Sequence, residues 1–207
     1  MSPVLERVKE RVPKFDRLLA NVDALMTKAE TATADPASPF AMVQENSPTL
    51  PINPWKVYAF ASANHTATDA AFNTLQLDSE KYDTANSWDG TAFQYPVPLG
   101  GYYSLESRAG CSMPAVNGAY QYWFVSIFVS SQGGAFAEVT RGHGQSFLQP
   151  NPGSFSVDLS SYVGSKLYLN KGDLVQFRGF PSCGGVPTVD GSAGGGQTYA
   201  MIHLLSR

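Results

Sequence analysis

Charge is what this chain of 207 residues has least of. Only 15% of it is Asp, Glu, Lys or Arg, against about a quarter in an average globular protein. The 14 basic and 17 acidic residues leave a net charge of −3, which excludes the basic footprint that nucleic-acid binding needs. Cysteine is nearly absent too. Cys111 and Cys183 lie far apart, match no metal-ligand spacing, and are too few for a disulfide-held secreted scaffold. They read as one disulfide or two free thiols, with free thiols expected in a chain whose first 30 residues are amphipathic and charged rather than an export signal. No apolar run is long enough to span a membrane, so no membrane insertion is expected. The three histidines, His65, His143 and His203, stand in no His-Glu-x-x-His pattern. No Gly-x-Ser-x-Gly elbow and no phosphate-binding loop occurs. No catalytic residue, metal ligand or cofactor is therefore assigned, and the chain is expected not to be an enzyme.

What is abundant points one way. Hydrophobic residues reach 43% and aromatic ones 12%, with 19 glycines. Low charge with many Gly, Tyr, Phe and Ser suits an all-β domain. From Trp55 the text reads as short strands between turns: Val57 to Ala63, Asn73 to Leu77, Phe93 to Val97, Tyr102 to Ser107, Tyr120 to Ser130, Ala135 to Arg141, Phe155 to Leu159, Leu167 to Leu169, Leu174 to Phe180 and Tyr199 to Leu205. That makes about ten strands spaced as in a sandwich or jelly roll, with no helix available for parallel crossovers. Tyr120 to Ser130 is apolar on both faces, and such a strand is buried on both faces. One face meets the core. The other, carrying Tyr120, Tyr122, Phe124 and Phe128, is expected to meet sister chains. The glycines of 184–185 and 191–196 read as a flexible loop.

The first 30 residues differ. Leu5, Val8, Val12, Phe15, Leu19, Val22, Met26 and Ala29 recur at alternating gaps of three and four, a heptad with apolar a and d positions. Ser2 and Pro3 suit a helix start. Leu18 and Leu25 at g widen the stripe, which favours more than two helices. Pro13 removes one helical hydrogen bond, so the helix either kinks there or becomes regular from Val12–Pro13. A continuous helix from Leu5 to Ala29 would be roughly 37 Å long at 1.5 Å per residue. The expected organisation is a coiled-coil stalk over 1–30, a Pro-rich extended linker over 31–54 and a β head over 55–207.

The run Phe93 to Leu105, FQYPVPLGGYYSL, resembles the signature of the globular heads of complement component 1q and the tumour necrosis factor family. Leu167 to Val175, LYLNKGDLV, resembles a second motif of those heads. Tyr82-Asp83 with Trp88-Asp89-Gly90, and the closing Tyr199 to Leu205, agree in order. The resemblance implies a ten-stranded jelly roll that forms homotrimers through an aromatic seam. One extra residue in the Pro-Gly turn and the unusual loop from Gly142 to Gly153 are departures that remove any particular ligand site. No Gly-x-y repeat supplies a collagen stalk. A short helical stalk, no export signal and the phrase YDTANSWDG are similar to bacteriophage fibre, spike and minor tail proteins.

The resulting expectation is a homotrimeric virion protein made in the host cytoplasm. Its N-terminal segment attaches to other virion proteins, and its head recognises or decorates a surface. Candidate contacts with a host glycan or protein are Trp88, Arg141 and His143. A non-viral trimeric binding module and a fibre-borne polysaccharide depolymerase are the alternatives. The latter would draw on Asp78, Glu80, Asp83 and Asp89, which are more simply turn caps.

Overall fold

The computed structural model describes residues 55–116, 120–148 and 155–207. The heptad positions Leu5, Val8, Val12, Phe15, Leu19, Val22, Met26 and Ala29, and the linker over 31–54, lie outside the described residues. Every regular element among them is a strand. In chain order these are β1 (Lys56–Phe60), β2 (His65–Thr66), β3 (Asn73–Thr74), β4 (Ser79–Asp83), β5 (Tyr95–Pro96), β6 (Gly101–Met113) and β7 (Tyr120–Ser130). Then come β8 (Ala137–Arg141), β9 (Gln145–Leu148), β10 (Val157–Leu169), β11 (Leu174–Ser182), β12 (Thr188–Val189) and β13 (Tyr199–Ser206).

They form two antiparallel sheets. In the seven-stranded sheet β6 lies at the centre. β10 pairs along its whole length on one side, and β13 and β12 share the other; β1 and then the edge strand β4 follow β13. The six-stranded sheet is built on β7 and β11, with β8 and β9 beside β7, and β3 and β5 beside β11. Alternation sets the core. Val57, Ala59, Tyr103, Leu105, Ile202 and Leu204 point inward from one sheet. Trp123, Val125, Ile127, Val175 and Phe177 oppose them from the other. Trp123 fills the middle with its indole N–H donating to the carbonyl of Ala109 at 2.9 Å. It rests on Gly179, where any Cβ would collide with the indole ring.

Several boundaries move from the sequence reading. Phe93 does not start a strand: it takes a left-handed turn conformation, φ 52°, and pairing begins at Tyr95. The stretches read as two strands at Phe155 and Leu167 are one strand, β10. The glycines of 184–185 and 191–196 lie in turns, bends and irregular backbone, but between the two runs the short strand β12 pairs with β6 and β2. Both cysteines are buried and unbonded, and Cys111 lies within β6 rather than in a loop. Burial raises both thiols, Cys183 to about 11.

Three of the four motifs that carried the family resemblance meet at one end of this sandwich. Tyr95 and Tyr103 are core rings in edge-to-face contact, centroids 6.2 Å apart. The Tyr103 hydroxyl donates to the Leu99 carbonyl in the turn between them. Val97 N–H donates to Asp173 O, and Gly172 N–H to Val97 O, which clamps the Lys-Gly-Asp turn onto the Pro-Val-Pro segment. The buried Asp173 carboxylate accepts from Asn170 N–H at 2.8 Å and Gln132 N–H at 3.3 Å. Gly101 lies so near Ser206 O and Leu204 of the closing strand that a Cβ would clash with both.

Candidate functional site

Each sheet has a second face, away from the core, and the two faces are treated differently. On the six-stranded sheet, Tyr122, Phe124 and Phe128 of β7 project outward beside Phe180 of β11. Phe124, Phe180 and Tyr122 stack nearly parallel, at 9°, 13° and 22° in the three pairs. Phe72, on the approach to β3, lays its ring edge against Phe124, Phe128 and Phe180 at 4.9–5.8 Å. Arg178 covers Phe128 and Phe136 at 4.5 and 4.9 Å, and Arg141 covers Phe124 at 4.6 Å. Phe124 and Phe128 consequently retain only 7% and 6% exposure. These two residues, expected between chains, are covered by the chain itself, because a loop ring and two guanidinium groups do what a partner was expected to do. Tyr120, at the start of β7, stays 61% exposed.

The outer face of the seven-stranded sheet is covered only in part: the Lys81 ammonium lies over the Tyr58 ring, 5.7 Å from its centroid, while Tyr102, Tyr162 and Tyr168 stay exposed. Tyr102 of β6 and Tyr168 of β10 are register partners in edge-to-face contact at 5.2 Å, both about half exposed, with Leu205 equally open. At the other end Tyr58 stacks on Tyr199 at 5.2 Å and meets Tyr82 at 5.9 Å, and Tyr162 is exposed nearby. Glu106, His203 and Lys56 occupy the ground between. Burial, then Lys56, pushes His203 below the usual imidazole range, and Lys56, Lys81, Glu106, Arg108, Asp158 and Lys166 put formal charges on this face.

The candidate contact residues separate. Trp88 is a core residue, 8% exposed, with its indole N–H donating to Leu77 O at 2.9 Å. A ring so enclosed offers no face to a ligand, which corrects the expectation for it. Arg141 is exposed but occupied: its Nε and Nη2 donate to the two oxygens of Glu138 at 2.8 and 2.7 Å, and this pairing holds Glu138 below the usual carboxylate range. His143 is exposed at a bridge between the sheets. Gly142 N–H donates to Val125 O of β7, His143 N–H donates to Tyr162 O of β10, and the Ser161 hydroxyl donates to His143 O. The segment read as a loose polar loop is thus tied to both sheets.

The carboxylates act as turn caps. Asp78 accepts from the Ser62 N–H and hydroxyl, Asp83 from the N–H groups of Ala85, Ser87 and Trp88, and Asp89 from those of Thr91 and Ala92. A pair that sequence reasoning missed is Asp158 and Asp190. Both contact the Ser112 hydroxyl, at 2.6 and 2.9 Å, although a hydroxyl has one proton to give. Burial and the Asp158 charge push the Asp190 carboxyl up against the Ser112 bond.

The fold of the described residues recurs in chains of known structure. The tumour necrosis factor Eiger from S. frugiperda superposes with a TM-score of 0.55 at 11% identity, over 73% of this chain and 92% of that chain. The head has a tumour-necrosis-factor-like jelly-roll fold. The globular domain of zebrafish complement 1qA protein aligns over 73% of this chain and 98% of its own at 16% identity, with a TM-score of 0.45. No protein-family model matches the sequence, and no curated protein does.

Proposed function

We propose that the chain is a non-enzymatic, homotrimeric bacteriophage virion protein, a fibre, spike or minor tail component. In this reading the tumour-necrosis-factor-like head is displayed on an N-terminal coiled coil for host-surface recognition or decoration. The observation that carries it is the partly uncovered aromatic face of the seven-stranded sheet. That sheet face bears Tyr102, Tyr168, Tyr162 and Leu205 in the open, with charged side chains of both signs between them. Large exposed apolar patches of this kind mark interaction surfaces, and tyrosine is enriched in them. The seam between copies therefore moves from the β7 residues to this face. The heptad from Leu5 to Ala29 supports the same stoichiometry independently, since a widened apolar stripe favours bundles above two helices.

Light scattering on the intact chain tests the reading, followed by the same measurement with Tyr102→Lys and Tyr168→Glu combined, and with Phe15→Asp. A trimer weakened by both sets of changes is the expected result. A monodisperse monomer for the intact chain overturns the proposal. Antibody labelling of virions from a lysate of the phage encoding the chain tests the setting, and labelled non-virion material alone would remove it.

A further inference from the structure

The cover over the six-stranded sheet stops short of its end. Phe72 reaches Phe124, Phe128 and Phe180, and Tyr122 continues the stack beyond it. Register pairs Tyr122 with Ser146 and Tyr120 with Leu148 across β7 and β9, so these four project from the same face. Tyr120 and Leu148 are both more than 60% exposed. A shallow depression of about 330 Å³ lies here, lined by Tyr120, Tyr122, Gly144, Gln145 and Ser146, at the small end of ligand sites.

Its chemistry narrows the occupant. The lining holds two phenol rings, a serine hydroxyl, a carboxamide and main-chain groups. None of these lining side chains carries a charge at neutral pH. The neighbouring cation, Arg141, is held by Glu138 through two hydrogen bonds and lies over Phe124, so a phosphate, sulfate or carboxylate would find no unpaired countercharge. The depression is too shallow to enclose an alkyl chain. A flat ring with one C–H face and an edge of hydroxyl groups satisfies both parts of the lining: the C–H face lies on an aromatic ring and the hydroxyls bond the Tyr and Ser oxygens, which donate and accept.

We propose that this groove binds a neutral saccharide ring, with Tyr120 and Tyr122 as the stacking platform and Ser146 as a hydrogen-bonding partner. The inference rests on the reading of the head as an exposed recognition module and names the ligand class of that module. One such site is weak by itself, and repetition in an oligomer multiplies it through effective concentration.

The test is saturation-transfer and chemical-shift mapping on the intact chain with glucose, galactose, mannose and N-acetylglucosamine. Sialic acid and a sulfated hexose serve as anionic probes. The expected result is perturbation of the Tyr120 and Tyr122 ring resonances by at least one neutral sugar. Tyr120→Ala should weaken that sugar at least about tenfold with an unchanged thermal transition, and Ser146→Ala should weaken it less. Tyr168→Ala, on the other sheet, should leave affinity unchanged.

Preference for the anionic probes, neutral-sugar binding indifferent to Tyr120→Ala, or no perturbation by any neutral probe would each overturn the inference. Light scattering keeps the two proposals apart. A trimer without sugar binding sinks this site and spares the virion reading, and a sugar-binding monomer does the reverse.

Discussion

The two outer faces of this sandwich are made from the same kind of residue and end differently. Rings of Phe and Tyr line both. On the six-stranded sheet Phe124 and Phe128 are closed over by Phe72 and by the guanidinium groups of Arg141 and Arg178. On the seven-stranded sheet Tyr102, Tyr162 and Tyr168 stay open to solvent. The lesson is that an apolar strand face does not by itself announce a partner. What decides is whether the chain spends another segment on covering it. One face is therefore part of the fold's stability, and the other is available for assembly at little cost to the single copy.

The largest effects should come from breaking the closed face. Phe128→Ala removes a ring held between Phe72 and Arg178, and should cost about 3–5 kcal/mol in chemical denaturation. If the loss is below about 1 kcal/mol, the face is not closed as described. Gly179→Ala forces a Cβ into the Trp123 indole and should cost about 1–3 kcal/mol through overpacking, read by the same titration. Arg178→Ala, which uncovers Phe128 and Phe136, should cost about 1 kcal/mol.

On the open face the comparison predicts almost no change. Tyr102→Ser with Tyr168→Ser should leave the stability of a dilute, dissociated head within about 0.5 kcal/mol while weakening self-association in sedimentation experiments. A smaller, signed effect comes from Asp190. Burial and Asp158 raise its folded-state pKa above the unfolded value, so its ionisation opposes folding at neutral pH. That penalty fades as the pH falls through the folded value and is gone below the ordinary carboxylate range. Asp190→Asn should therefore raise the melting temperature at pH 7, and the gain should shrink toward pH 3. A gain independent of pH would show that charge is not the cause.

Much of this was legible in the sequence, for reasons that can be named. β7 announced itself because its eleven residues are predominantly apolar on both faces. The Pro-Val-Pro and Lys-Gly-Asp turns could be read because their residues have fixed local duties: Gly172 adopts φ 90°, and Asp173 caps backbone N–H groups. Three things were not legible. The two-residue strands β2 and β12 are too short for any period to show, whereas β3 and β5 fall within the stretches read as strands at Asn73 to Leu77 and Phe93 to Val97. Trp88 looked like a surface ring because Asp and Ser surround it in sequence, yet those same side chains cap the turn that folds it inward. The cover by Phe72 is a contact across more than fifty positions, and no local pattern encodes that. For the candidate groove, Tyr120 and Tyr122 were noticed as seam residues, but their pairing with Leu148 and Ser146 depends on β9, which sequence reading missed.

The crossing at Gly142 and His143 bears on how such a head tolerates crowding. On that side the main-chain bond from His143 N–H to Tyr162 O ties the edge strand β10 to the segment after β8, which shortens the edge open to an incoming foreign strand. The opposite rim of the larger sheet ends in β4, whose Glu80, Lys81 and Asp83 put formal charges along the edge, a known deterrent to strand addition. Copies packed closely together are thus steered toward meeting through their broad surfaces, away from the edge-to-edge growth that ends in fibrils.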